Sequence, residues 1–124
     1  MVCMLKHEDD VKFNPERLDQ IFLQLGDQGA LNVVCRAVEE LAERLSVLET
    51  EFSQGRLINV RKIAKGLVGI ADQIGMQGLA QVAGDVRQCV ERQDSVALAA
   101  TVSRLLRIGD ISLSAVWDLQ DLSG

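Results

Sequence analysis

The chain has 124 residues, of which 48% are hydrophobic and 3% aromatic, and its formal net charge is −5. This length predicts one domain with its own core, and the hydrophobic content argues against disorder. The acidic balance argues against nucleic acid as the main partner. A single proline and the scarcity of aromatic residues favour an all-α fold over a sheet.

The spacing of the cysteines and the length of the apolar runs predict the cellular compartment of the protein. The chain has 3 cysteines without CxxC spacing, which predicts neither a zinc framework nor a disulfide scaffold. Cys35 and Cys89 lie among apolar helical positions, so we expect them to be small core residues. The apolar start of the chain is too short for a secretory signal, and no apolar run has the length of a membrane span. These features predict a cytoplasmic protein that does not bind membranes.

Residues 1–13 are polar and predict a flexible N-terminal arm. His7 is the only histidine, and the acids Glu8, Asp9 and Asp10 follow it. Such a cluster is able to bind a metal loosely, but its place in the arm favours a solvated tail. A single histidine also excludes catalytic triads and pairs of metal-binding histidines. We therefore expect neither a metal site nor a cofactor.

The first predicted helices lie between residues 14 and 55. Asn14-Pro15-Glu16 combines a capping residue, a first-turn proline and an early acid, which predicts a helix start. This short helix is expected to reach about Leu25 and to stop at residues 26–29. A long helix follows and ends at Gln54-Gly55. Its apolar stripe has alternating spacings of three and four residues, as in a heptad: Leu31, Val34, Val38, Leu41, Leu45, Leu48 and Phe52.

Three further helices continue this periodicity. Gly75 is expected to end the next helix, because a left-handed residue is favoured there. Asp94 is the predicted cap of the last helix, in which Gly109 takes a heptad position and is a candidate kink. Residues 121–124 are predicted to be a loose tail. The stripes of the three helices comprise Leu57, Val60, Ala64, Leu67, Ala71 and Ile74, then Leu79, Val82, Val86 and Cys89, then Leu98, Val102, Leu105, Ser112, Val116 and Leu119.

Amphipathic helices with short connections must bury their stripes against one another. The sequence therefore predicts an antiparallel up-down four-helix bundle over residues 14–120, with the short N-terminal helix as a lid on one end. Trp117 is expected to be a core or lid residue rather than a platform for a ligand.

The helix over residues 57–74 has a polar face opposite its stripe. At ~100° per residue this face is centred on Lys65 and also includes Arg61, Lys62, Val68, Gly69 and Asp72. Residues 56–65 hold four basic residues and no acid, whereas residues 39–51 hold five acids and one arginine. Two solvated helix faces explain such runs, and so does a basic patch that meets an acidic partner.

Two glycines interrupt this helix, although a mid-helix glycine costs roughly 1 kcal/mol relative to alanine. One interpretation is that Gly66 and Gly69 only allow tight helix packing. The other is that they allow a second molecule to approach the Lys65 side chain closely.

The segment from Ala64 to Met76 resembles the phosphoacceptor segment of histidine phosphotransfer (Hpt) domains. That family has a histidine on an exposed helix face, a lysine three residues later, and glycines four and ten residues later. Gly69 and Gly75 match the glycine positions, whereas Lys65 replaces the histidine and Val68 the lysine. The resemblance spans roughly residues 13–118.

An alternative alignment places Lys62 at the histidine and Lys65-Gly66 on the family's Lys-Gly pair. It ranks lower because Asp72 then stands where the second glycine belongs. Neither alignment supplies a histidine. Neutral imidazole has a lone pair near pH 7, whereas lysine, with a usual pKa of about 10.4, is almost wholly protonated. Lys65 is therefore not expected to relay phosphate.

The resemblance implies a non-catalytic, Hpt-like module of two-component phosphorelay signalling. Such a module is expected to bind a receiver domain or a histidine kinase through the Lys65 face, with the lysine entering the acidic cleft of a receiver. We expect a monomer or weak homodimer. The main alternative is a helical scaffold or oligomerisation domain, which predicts a larger apolar patch elsewhere. An enzyme with Lys65 as nucleophile or base is disfavoured, because an exposed lysine lacks desolvation.

Overall fold

The structure, a computed structural model, describes residues 13–123, with side chains through Val116. This part of the chain forms four helices and no strand: α1 Pro15–Ser53, α2 Leu57–Gln73, α3 Gln77–Glu91 and α4 Ser95–Ser123. Each helix packs on the next, and α1 also packs on α4. Short turns make sequential neighbours antiparallel. The predicted all-α, antiparallel four-helix bundle is thus confirmed.

The predicted short helix and long helix together form α1. Gly26 has non-helical angles, with φ 72° and ψ 172°, and it kinks α1 at the expected boundary. The segment before the kink packs Phe13, Leu18 and Phe22 against the core, and Ile21 is buried. These aromatic and leucine side chains share with Ile74 a small apolar cavity of about 60 Å³. The predicted lid therefore covers the end of the bundle where α2 ends.

Hydrogen bonds attach the start of α1 to the turn between α2 and α3. The Asn14 amide donates to the Gly75 carbonyl oxygen at 2.7 Å, and Arg17 Nε donates to the Gln73 carbonyl oxygen at 2.9 Å. Asn14 Oδ1 accepts from the Arg17 amide at 3.3 Å, which confirms the predicted cap. Asp94 also caps its helix, since its Oδ1 accepts from the Ala97 amide at 3.0 Å.

The heptad stripes form the core. Most stripe residues are buried, and Leu41, Leu67, Val86 and Leu105 are each 0% exposed. Leu57 is an error of the prediction: it is 39% exposed, because it begins α2 at the rim of the bundle. The further stripe residues are Leu31, Phe52 and Cys89, which are half-buried, and Val34, Val38, Leu45, Leu48, Val60, Ala64, Ala71, Ile74, Leu79, Val82, Leu98, Val102, Ser112 and Val116, which are buried.

The last helix differs from its prediction. It runs through Gly109 and continues to Ser123, beyond the expected start of a loose tail at residue 121. Gly109 is needed for packing, since a Cβ there would lie 2.7 Å from Leu45 Cδ1. Small residues permit such close contact between helices.

Some predictions fall outside the described residues. Residues 1–12 of the arm predicted over residues 1–13, with His7 and its three acids, are among them. Phe13, the last residue of that predicted arm, instead packs against the core. The side chains of Trp117 and Leu119 also lie outside the described part of the structure. No helix in the described part of the chain combines the length and the apolar character needed to cross a membrane.

Candidate functional site

The polar face of α2 is open to solvent. Arg61, Lys62, Lys65, Gly69 and Asp72 are all exposed. The stripe on the opposite side of this helix is fully buried, so the periodicity of α2 determines both faces.

Val68 departs from the expectation of an exposed apolar residue. It is half-buried and packs against the core. Five of the six predicted residues thus share one open surface, and Val68 forms its boundary.

The basic residues of this region differ in their partners. Arg56 pairs with Glu51 on α1. Arg61 Nη1 lies 3.8 Å from Glu91 Oε1, and Arg87 Nε lies 3.5 Å from the same oxygen. Among the side chains that the structure describes, Lys62 and Lys65 form no ion pair within 4.0 Å. These two lysines therefore carry the uncompensated charge of the face.

Helix packing accounts for Gly66. A Cβ on Gly66 would lie 3.0 Å from Arg44 Nη1. Arg44 comes from α1, and its Nη2 pairs with Glu40 Oε1 at 3.0 Å. The absence of a side chain at residue 66 lets the guanidinium rest near the α2 backbone.

Gly69 has no such neighbour. A Cβ built on Gly69 meets no atom within 4 Å apart from its own local helix, and the residue is exposed. The two interpretations of these glycines therefore separate: packing explains Gly66 and leaves Gly69 unexplained.

The same contrast bears on the two alignments with the Hpt motif. In the preferred alignment the glycine four residues after the acceptor position is Gly69, which is open. In the alternative it is Gly66, which Arg44 covers. The structure thus has open space at Gly69, whereas Arg44 lies beside Gly66.

Sequence reasoning missed three residues that other helices bring to this region: Arg44, Arg87 and Glu91. The sequence did contain a signal for Arg44. Arg44 and Gly66 are separated from Gly55 by the same number of residues, and Gly55 lies in the turn between two antiparallel helices. Residues equally far from such a turn face each other across the two helices. Cys35 and Cys89 are half-buried, and Cys89 Sγ lies 3.7 Å from Thr101 Oγ1. No cluster of three potential metal ligands occurs among the described residues.

No family model matches the chain. No curated protein and no solved structure matches it either.

Proposed function

We propose that this chain is a non-catalytic, Hpt-like module of cytoplasmic phosphorelay signalling. It binds a receiver domain or a histidine kinase through Arg61, Lys62, Lys65, Gly69 and Asp72. One observation carries this proposal: Gly69 is open to solvent one turn from Lys65, which is exposed and forms no ion pair among the described side chains.

Gly69 costs helix stability without improving any contact within the described chain. In Hpt domains the glycine at this position makes room for the receiver, and a close approach of a partner gives Gly69 the same purpose here. A partner with an acidic cleft fits best, because two uncompensated lysines favour association with an opposite charge.

The proposed module does not accept phosphate. Lysine stands at the acceptor position in both alignments, at Lys65 or at Lys62. Incubation with an active kinase and receiver, or with a small phosphodonor, is expected to leave no acid-labile label. Mass spectrometry after the reaction locates any label, and a label on Lys65 or His7 contradicts a non-catalytic role.

Binding to receiver domains tests the docking face directly. Lys65→Glu is expected to abolish binding, because it places a carboxylate against carboxylates. Gly69→Leu is expected to weaken binding by steric block while the fold is kept, since the side chain points into open space. Calorimetry with receiver domains and kinases from the same genome measures both effects.

Arg107→Glu is the matched control, because Arg107 is an exposed cation on α4, outside the proposed face. It reverses the same charge and is expected to leave the affinity unchanged. If Lys65→Glu and Gly69→Leu bind the partner as tightly as the native chain, the binding face lies elsewhere.

Lys65→His restores a histidine at the acceptor position without the family's lysine at residue 68. We expect feeble labelling at most, and more when Val68→Lys is added.

A second candidate, the scaffold or oligomerisation module, has its own support. Leu23 is 85% exposed, Val96 82% and Ile58 67%, and all three lie near the ends of the bundle. Exposed apolar side chains favour association. Light scattering coupled to gel filtration tests this candidate, which requires a dimer or larger species that Leu23→Ser or Val96→Ser dissociates.

A further inference from the structure

We infer that Arg44, Lys62 and Lys65 form an oxyanion site that spans α1 and α2 above the bare backbone of Gly66. The ligand is a phosphate or carboxylate group, either free in solution or presented by an acidic partner. The inference goes beyond the proposed function, because it requires no receiver domain.

Arg44 supplies the guanidinium group of the site. Its Nη2 is engaged by Glu40, whereas Nη1 is directed toward Gly66. Its Nε is buried and has no hydrogen-bond partner among the described residues. A guanidinium carries five N–H donors in one plane and suits oxyanions. Glu40 engages Nη2 alone, so the Nη1 end remains for an oxyanion, and its approach to Gly66 holds the guanidinium beside α2.

The two lysines extend the positive charge along α2. Lys62 precedes Gly66 by one helical turn and lies on the same side, and Lys65 is the adjacent residue. Both lysines are exposed. The open position at Gly69 continues the same side by a further turn, so no side chain separates a ligand from the backbone there.

Three acids lie near the site along the two helices. Glu40 pairs with Arg44, Glu43 is the exposed residue before Arg44, and Asp72 lies on the exposed face of α2. Among the described side chains no ion pair within 4.0 Å involves Lys62 or Lys65, so the α2 side of the site keeps its positive charge and attracts an anion.

Titration with inorganic phosphate tests the site. Amide spectra of the ¹⁵N-labelled chain are recorded at constant ionic strength, so that general screening does not change. Saturable shifts are expected at residues 62–69 and at the Arg44 Nε–H. Shifts spread evenly over basic residues of all helices, or no shifts, overturn the inference.

A pair of glycine variants separates geometry from charge. Gly66→Ala adds a Cβ 3.0 Å from Arg44 Nη1, so the guanidinium must shift, whereas a Cβ at Gly84 on α3, outside the site, meets nothing within 4 Å. Neither changes a charge, and both improve helix propensity, so the fold is retained. Phosphate affinity is expected to fall about tenfold in Gly66→Ala, as for a lost charge-assisted hydrogen bond. Phosphate affinity is expected to stay constant in Gly84→Ala, and equal affinities in the two variants overturn the site.

Receiver domains identify the source of the anion. Receiver binding that phosphate inhibits and that Gly66→Ala weakens assigns the site to an acidic group of the partner. Phosphate binding without any receiver binding assigns the site to free phosphate and counts against the signalling proposal. Receiver binding that is equal in both glycine variants, with no phosphate response, overturns the oxyanion site and leaves the signalling proposal intact.

Discussion

The two ends of the bundle are built on similar turns in different surroundings. Gly75 has φ 76° between α2 and α3, and Gly55 has φ 74° between α1 and α2. A Cβ on Gly75 would lie 2.8 Å from the Asn14 carbonyl oxygen, whereas a Cβ on Gly55 meets nothing within 4 Å. Helix termination requires the left-handed conformation at both turns. The contacts over each turn determine how much a change there costs.

The lid causes this difference. The residues that lead into α1 cover the turn at Gly75, and the opposite end has no equivalent segment in the described structure. At the open end Ile58 and Val96 remain exposed. Ile58 also lies on the same face of α2 as Lys65, so a partner that docks on this face has access from the open end.

Two isoleucines at opposite ends of α2 give the largest expected contrast. Ile74 is 2% exposed under the lid, whereas Ile58 is 67% exposed. Ile74→Ala is expected to lower the free energy of unfolding by about 2–5 kcal/mol, through lost transfer energy and a cavity. Ile58→Ala is expected to change it by less than about 0.5 kcal/mol. Urea denaturation measures both, and equal losses contradict the assignment of a covered and an open end.

The two turn glycines give the next contrast. Gly55→Ala is expected to cost about 1–2 kcal/mol, because alanine is strained at positive φ. Gly75→Ala carries the same strain and also forces the Asn14 carbonyl away, which adds about 1–3 kcal/mol. Chemical denaturation of the two variants gives the difference. If Gly55→Ala proves as costly as Gly75→Ala, the docking of Asn14 contributes nothing.

The two helix caps are expected to differ least. Asn14 caps α1 at the covered end and Asp94 caps α4 at the open end. Replacement of either cap by alanine is expected to cost about 1 kcal/mol. The backbone bond from Asn14 to Gly75 does not depend on the side chain, so both variants keep it. Thermal melts compare the two, and a markedly larger loss for Asn14→Ala shows that the cap also holds the lid in place.

Much of the fold was predictable because it depends on local spacing. Alternating three- and four-residue intervals identify a buried stripe without knowledge of its partner, so Leu67 and Leu105 were placed correctly. Leu57 fits the same spacing and is exposed, since periodicity does not show where the opposing helix ends. The kink at Gly26 occurred at the predicted boundary. Gly109 was a candidate kink and proved to be a packing residue against Leu45.

The polar face of α2 was predictable for the same reason, since a helix that buries one stripe exposes the opposite face. The residues that complete the face were not, because Arg44 and Glu91 belong to other helices. Their positions depend on how antiparallel helices align across turns. Lys65 and Gly69 share one face of α2 because of helical spacing alone, whereas the oxyanion site inferred at Gly66 requires two helices.

By itself the sequence determined the four helices, their buried stripes, their caps and their turn glycines, because hydrophobic periodicity and capping act within a few residues of the chain. Only the tertiary structure decided which glycine is covered and which is open. Gly66 and Gly69 are equally costly in an isolated helix, and the Arg44 side chain from α1 makes the difference between them. Contacts between segments distant along the chain are set by packing, which the spacing of apolar residues within one helix does not record.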